Sequence, residues 1–487
     1  MRKFSSYLAL ILVALLVATV VPACQQPTPE PTEAPAEEPT EPPAEEEEPG
    51  EEAEFDWRQQ EGTELTVFLS ETPMAVAIRE NIEDFRDLTG IDIDYLVVSE
   101  SEYWSKLAVD LSSGAGEYDV FMSGPSMNWG YGAAGQIQPL DPYLEDPALT
   151  PAEWGFDQFF DWAIEAQRWN GEPGPDSLGQ GDLWAVPVNS VNNLLTYRKD
   201  LFDEWGLEPP DTWDEWASVS REIMNQTGGE LDGQPFYAVV QRGALDTTTL
   251  SGPFYSGLFS YGGADFNPDL TPAMNNERSV AFQKLYMDTI KETGSPEWPN
   301  HMWFDVQQGF TSGQFAMVFD VDNFIPTYEG EGSEVAGKLG YALPPAGPEG
   351  DRNSYPWTWG FSMNAETESD QAEAAWLFMV WASSKERMVT FASTGSWPTR
   401  KDVWDDPEVV EFTNQFADGA FRETMDEVLN NYVEWKVTPM VEYPAVSEMW
   451  VAGLHDYYFD QGSMQEIMDD VAGDITVHLV DTGTVGD

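Results

Sequence analysis

Three histidines (His301, His455, His478) and one cysteine (Cys24) are the only strong nitrogen and sulfur ligands in this chain of 487 residues. They are too few and too scattered for a zinc site, an iron–sulfur cluster, a disulfide framework or thiol catalysis, so no metal site is expected. Gly130-Tyr131-Gly132-Ala133-Ala134-Gly135 has the letters of a dinucleotide fingerprint. Its glycines, however, fall eight residues past a strand rather than in the strand-to-helix turn that seats a pyrophosphate. Gly332 to Lys338 imitates a phosphate loop, but Leu339 stands where a magnesium-binding Ser or Thr must be. Asp320-Val321-Asp322 with Glu331 echoes a calcium loop, yet Ile325 occupies the position that demands Gly. No cofactor is expected. With 87 acidic residues, carboxylate pairs suited to sugar hydrolysis stay open as an alternative.

Those acids stand against 22 basic residues, a formal net charge of -65 that repels phosphate backbones, so no nucleic-acid partner is expected. A 41% hydrophobic and 13% aromatic content still supplies a substantial core. Twenty tryptophans call for an explanation.

The N-terminus sets the compartment. Met1-Arg2-Lys3 opens a basic region, and Leu8 to Val21 is an apolar run shorter than the roughly 20 residues a spanning helix needs, which suits a secretory leader over residues 1–23. Val21-Pro22-Ala23-Cys24 resembles the lipobox of bacterial and archaeal lipoproteins. That resemblance implies a lipid on Cys24 and an extracytoplasmic chain anchored to the cell membrane, at the cell surface or in the periplasm. Residues 24–54 then carry twelve Glu and eight Pro, the composition of a disordered, semi-rigid tether.

Any site has to be held by regular elements, and the body of the chain supplies them. Leu65–Ser70 reads as a buried strand, Ala75–Leu88 as an amphipathic helix ended by Gly90, and Ile91–Val98 as a second strand. Tyr103–Leu111 reads as a helix and Tyr118–Met122 as a third strand. This alternation predicts α/β crossover units. Thr212-Trp213-Asp214-Glu215 has the form of a capping box, and the chain beyond Gln371 reads as largely helical.

Several blocks in order resemble the extracellular solute-binding proteins of ABC importers, in the branch that includes maltose-binding protein. They are Tyr118 to Gly124, Ala134 to Asp141, Leu183 to Pro187, Leu194 to Phe202, Gly206 to Glu215, Phe310 to Met317, Trp359 to Asn364 and Gly395 to Arg400. The resemblance implies a two-lobed periplasmic-binding-protein-like fold with hinge strands crossing between lobes and a ligand cleft. Residues 57–188 plus 362–405 are expected in an N-lobe, and 189–361 plus 406–487 in a C-lobe. The implied function is not enzymatic: a monomer captures a carbohydrate (mono- or oligosaccharide) and delivers it to permease subunits. The alternatives are a polyamine or other small solute on the same fold, a secreted glycoside hydrolase, or a surface adhesion module.

A neutral sugar needs aromatic faces for its C–H patches and directed polar groups for its hydroxyls. At positions the family uses, the chain offers Glu71, Asn128, Trp129, Asn189, Asn192, Asp246, Asp322, Asn323, Trp357, Trp359 and Tyr443. Each also has a structural reading. Trp129 could pack under a surface loop, Asn189 and Asn192 could form hinge turns, Asp322 and Glu71 could cap helices, and Tyr443 before Pro444 could shape a turn. Trp357 and Trp359 alternate on an extended segment and so share a face.

Overall fold

The computed structural model describes residues 54–486. Cys24, the leader at 1–23 and the tether up to residue 53 lie outside the described residues. Nine strands carry the fold: β1 (Glu64–Ser70), β2 (Asp92–Val98), β3 (Val120–Ser123), β4 (Val186–Val191), β5 (Asn193–Arg198), β6 (Tyr237–Val240), β7 (Phe315–Val321), β8 (Leu339–Ala342) and β9 (Trp357–Met363). They form two sheets, of order β2-β1-β3-β9-β4 and β6-β7-β5-β8.

β1 pairs in parallel with β2 and β3, as strand–helix–strand alternation requires. β9 runs antiparallel to both β3 and β4, so the sheet is mixed. In the second sheet β6 and β7 are parallel, while β5 runs antiparallel to β7 and β8. All seven residues of β7 are buried, which is why that segment is a continuous apolar run broken only by Asp320.

Eight helices position the site or back it: α1 (Glu100–Ser113), α2 (Pro125–Ala133), α3 (Trp213–Thr227), α4 (Pro253–Ser260), α5 (Trp303–Thr311), α6 (Ser369–Ala382), α7 (Tyr443–Tyr458) and α8 (Met464–Thr482). α3 starts on the capping box read from sequence, with the Glu215 amide donating to Thr212 Oγ1 at 3.1 Å. The helix expected over 75–88 is instead two, Pro73–Glu80 and Ile82–Thr89, broken at Asn81. Asn81 Nδ2 donates back to the Ala77 carbonyl at 2.8 Å, a local bond that competes with helical continuation. From Ser369 onward the chain is largely helical, as expected. Among the described residues no helix is long and apolar enough to cross a membrane.

Two buried clusters underlie the sheets. The first includes Val67, Phe121, Phe361 and Trp376; the second includes Trp213, Phe319, Tyr286 and Trp450. The chain leaves the first sheet for the second between Val191 and Asn193, and re-enters it at Trp357. Pairing of β4 with β9 thus keeps residues 189–191 and 357–361 in the first sheet, a few residues beyond the lobe limits expected from sequence.

Candidate functional site: the crossing between the sheets

Residues 186–198 are buried without a break, because this one extended segment is the end strand of the first sheet and then an inner strand of the second. β9 lies antiparallel to it, with Trp357 opposite Val191, Thr358 opposite Ser190 and Trp359 opposite Asn189. A bulge follows between Trp359 and Gly360. Gly360 is needed there, since a Cβ would stand 2.8 Å from that of Ala185 and 2.9 Å from the Val186 carbonyl oxygen.

The side chains of β9 alternate between the core and the crossing. Thr358 is fully buried and accepts from Gln167 Nε2 at 2.8 Å. The rings of Trp357 and Trp359 emerge together, half-buried, with centroids 5.4 Å apart. Trp359 continues to Trp104 on α1 at 6.1 Å, and Trp357 to Trp435 at 6.2 Å. Trp357 also covers the start of α2: a Cβ on Gly124 would meet its Cζ2 at 2.2 Å, so only glycine permits that approach.

Trp129 and Tyr443 sit deeper. Trp129 is 1% exposed and packs edge-on against Tyr443 at 5.6 Å and Trp435 at 6.0 Å. Tyr443 opens α7 rather than shaping a loop, and burial pushes its hydroxyl up to about 12. Trp129 thus packs directly on the half-buried Trp435, and Tyr443 on Trp129. Trp435 lies between two helices, flanked by charged residues, and has no periodicity to mark it, so sequence reasoning misses it. Its one signal is an aromatic in an irregular segment before Pro439.

The polar candidates divide. Asn128 is buried and bonded within the protein: its amide donates to Gln167 Oε1 at 2.9 Å and accepts from Ser362 Oγ at 3.3 Å. Asp246 is half-buried, and its carboxylate accepts from the Thr248 amide at 2.8 Å and caps a short 3-10 turn. Glu71 is exposed just past β1, where its own amide donates to the Val98 carbonyl. Asn189 donates to the Trp397 carbonyl at 3.1 Å, pinning the Gly395–Thr399 segment onto the crossing strand.

Asn192 and Asp322 are brought together across the hinge. The Asn192 amide N–H donates to Asp322 Oδ1 at 3.0 Å, and the Asp322 amide to the Asn192 carbonyl at 2.8 Å. Asn193 donates through Nδ2 to the Tyr355 carbonyl at 2.7 Å. Burial pushes the Asp322 carboxyl up to about 8, against the smaller opposing effect of its Asn192 hydrogen bonds. It is therefore mostly a neutral acid at pH 7. Arg242, which follows β6, is forked onto Asp320, with Nη2 to Oδ1 at 2.6 Å and Nε to Oδ2 at 3.1 Å.

What remains is a set of unpaired polar atoms. Among the described residues fifteen buried side-chain atoms lack a hydrogen-bond partner; some, such as Trp213 Nε1 and Trp216 Nε1, lie in the second cluster, and seven are Asn192 Oδ1, Asn193 Oδ1, Asn323 Oδ1, Asn353 Oδ1, Tyr355 Oη, Trp357 Nε1 and Trp397 Nε1. Each such group costs about 1–3 kcal/mol, and these seven lie on the segments that make or clasp the crossing. Acceptors and donors are mixed, none is charged, and tryptophan faces adjoin them. A solute bearing hydroxyls, each both donor and acceptor, matches that inventory. Two surface cavities, of about 380 Å³ between Pro209 and Glu427 and about 470 Å³ around Lys385 and Asp406, are lined by none of these residues.

Comparison with known proteins agrees with this architecture. The bacterial extracellular solute-binding protein family matches residues 70–389. The erythritol/L-threitol-binding protein of Mycolicibacterium smegmatis is 29% identical over 412 residues, 83% of each chain. The mannitol-binding protein of Pseudomonas aeruginosa is 22% identical over 304 residues, 61% of this chain and 63% of that one. Among solved structures, a ribitol complex of an ABC transporter solute-binding protein from Agrobacterium radiobacter superposes with a TM-score of 0.71 at 22% identity, covering 85% of this chain and 98% of that one. A maltose-bound T. maritima protein gives the same TM-score at 20% identity, over 86% and 100%. The two sheets, the crossing strands and the match over residues 70–389 place this chain in the bacterial extracellular solute-binding protein family, whose two-lobed members hold a solute outside the cytoplasm without transforming it.

Proposed function

We propose that this chain captures a neutral polyhydroxy solute, a sugar or polyol, and hands it to the permease of an ABC importer. The observation that carries the reading is the uncharged set of unpaired donors and acceptors at the crossing, beside Trp357 and Trp359. A polyamine would need ionised carboxylates, whereas Asp322 is held neutral by burial and Asp320 is taken by Arg242. An anionic solute would need a free cation, and Arg242 is not one. Relatives named for erythritol, threitol and mannitol support the same class.

Glu71, Asn128, Asp246, Trp129 and Tyr443 are given supporting or peripheral places. Asn189, Asn192, Asp322, Asn323, Trp357 and Trp359 are assigned to the cleft, with Trp435 added. The lobes exchange at residues 192–193 and near 356, and close on the solute by bending there. Cys24 carries the lipid that tethers a monomeric body to the membrane, two acyl chains being enough for stable anchorage.

A thermal-shift series on the body from Phe55, against erythritol, mannitol, ribitol, maltose and spermidine, tests the reading. A rise in Tm with a polyol or sugar recovered intact supports it, since a ligand bound to the native state alone stabilises by mass action. A shift with spermidine alone overturns the ligand class.

A further inference from the structure

Trp357, Thr358 and Trp359 open β9, and the sheet holds this stretch on one side only. β3, one neighbour of β9, ends at Ser123 opposite Gly360, so it does not reach the three residues. On the other side Ser190 of β4 lies opposite Thr358, but its amide turns away and donates to the Trp397 carbonyl at 2.8 Å. Past the bulge, Gly360 faces Pro187, which has no N–H to give. Thr358 is fully buried, and a buried carbonyl left without a donor is costly.

The donor is Gln167. It ends the short helix Asp161–Ala166 and is 1% exposed. Its Nε2 donates to the Thr358 carbonyl at 3.1 Å and to Thr358 Oγ1 at 2.8 Å, so both bonds land on the residue between the two tryptophans. Its Oε1 accepts from Asn128 Nδ2 at 2.9 Å, on α2 and next to Trp129. The backbone of Gln167 is fixed as well. Its carbonyl accepts from the Trp184 amide at 2.9 Å, and the Trp184 carbonyl accepts from Ser362 Oγ, further along β9, at 2.8 Å. Both ends of one amide thus join the strand that carries Trp357 and Trp359 to the helix that carries Trp129.

We propose that Gln167 is a positioning residue of the cleft: by holding Thr358 where the sheet does not, it sets the angle at which Trp357 and Trp359 meet the solute. Leucine at this position fills similar space but offers no donor. The Thr358 carbonyl then turns toward another one and carries both rings with it. The affinity this predicts rests on the polyhydroxy reading of the ligand, whereas the placement of the rings belongs to the chain and is read without any solute.

Two measurements on the body from Phe55 test the proposal. Trp357 and Trp359, with centroids 5.4 Å apart and planes at 72°, couple their electronic transitions and give paired circular dichroism bands of opposite sign. Trp213 and Trp216 have the same spacing and angle, so the cleft pair is isolated as the difference between each protein and its W359F counterpart. Without solute, Q167L is expected to shrink or reverse that difference signal; a signal identical to wild type overturns the proposal. T358V deletes the Oγ1 bond, leaves Gln167 in place and is expected to move the signal less, in the same direction. It carries the test if Q167L fails to fold, and an unchanged signal there overturns the proposal too. The second measurement is titration calorimetry with mannitol and erythritol. Q167L is expected to weaken wild-type affinity by about tenfold but to add less than about twofold to W357A, because residues acting through one another are not additive. Equal losses in both backgrounds overturn the proposal, since a general loss of stability would simply add. Should neither solute bind the wild type while the dichroism changes, the ligand reading fails and the placement of the rings by Gln167 stands.

Discussion

Trp357 and Trp359 stand two residues apart on an extended segment, and that spacing alone places both rings on one face. The contact of Trp357 with Gly124 cannot be read the same way. The two are separated by more than two hundred residues, and glycine carries no label for the ring that excludes a side chain. Gly124→Ala is expected to displace Trp357 and lower solute affinity by about tenfold or more, with a stability cost of about 1–3 kcal/mol from overpacking. Calorimetry and urea unfolding on the same variant check both halves; unchanged affinity would remove Trp357 from the site. Trp129 is harder to judge from sequence. Its burial comes from Trp435 and Tyr443, and nothing local distinguishes a tryptophan facing a cleft from one backing it. Asp320→Asn leaves Arg242 charged and buried with its ion pair gone, and is expected to destabilise the body by about 3–5 kcal/mol, read from the urea midpoint.

Among the strands and helices, legibility tracks how local the cause is. The capping box at Thr212 and Glu215 is a four-residue event and can be read directly; Thr212→Ala is expected to cost about 1 kcal/mol, measured by urea unfolding. β1 and β7 are visible as buried apolar runs. The break at Asn81 is hidden, because apolar residues at helical spacing continue through it. Asn81 is also held from outside, where its Oδ1 accepts from Arg387 Nη1 at 3.0 Å, a contact across some three hundred residues. The hinge shows the same limit. The extended stretch from Val186 to Arg198 is recognisable, but where it changes sheets depends on pairing with β9 and β7. Asn128 and Asp246 show a related limit. An amide or carboxylate near a cleft is as readily used up by Gln167 or by a turn amide as by a ligand, and only the bonds decide.

For the chain taken together, charge and burial act in opposite ways. The net charge of -65 is spread largely over exposed acids that repel one another, so added salt should raise Tm by screening that repulsion. A Tm independent of salt from 0.05 to 1 M, by differential scanning calorimetry, would argue against this. The family and the two-lobed fold are legible in the order of several loose blocks along the chain, since that order reflects one sheet system. On the proposed reading, the identity of the solute is a matter of a few atoms at the crossing, which the order of the blocks does not reveal. Whether those atoms hold a neutral polyhydroxy solute is decided by titration calorimetry of the body from Phe55 with erythritol, mannitol and maltose, alongside the Trp357→Ala variant. Saturable binding of at least one of them is expected at pH 7, with the solute unchanged afterwards and affinity at least about tenfold weaker in the variant. Binding of spermidine but of no polyol or sugar, or full affinity in the variant, would refute that assignment.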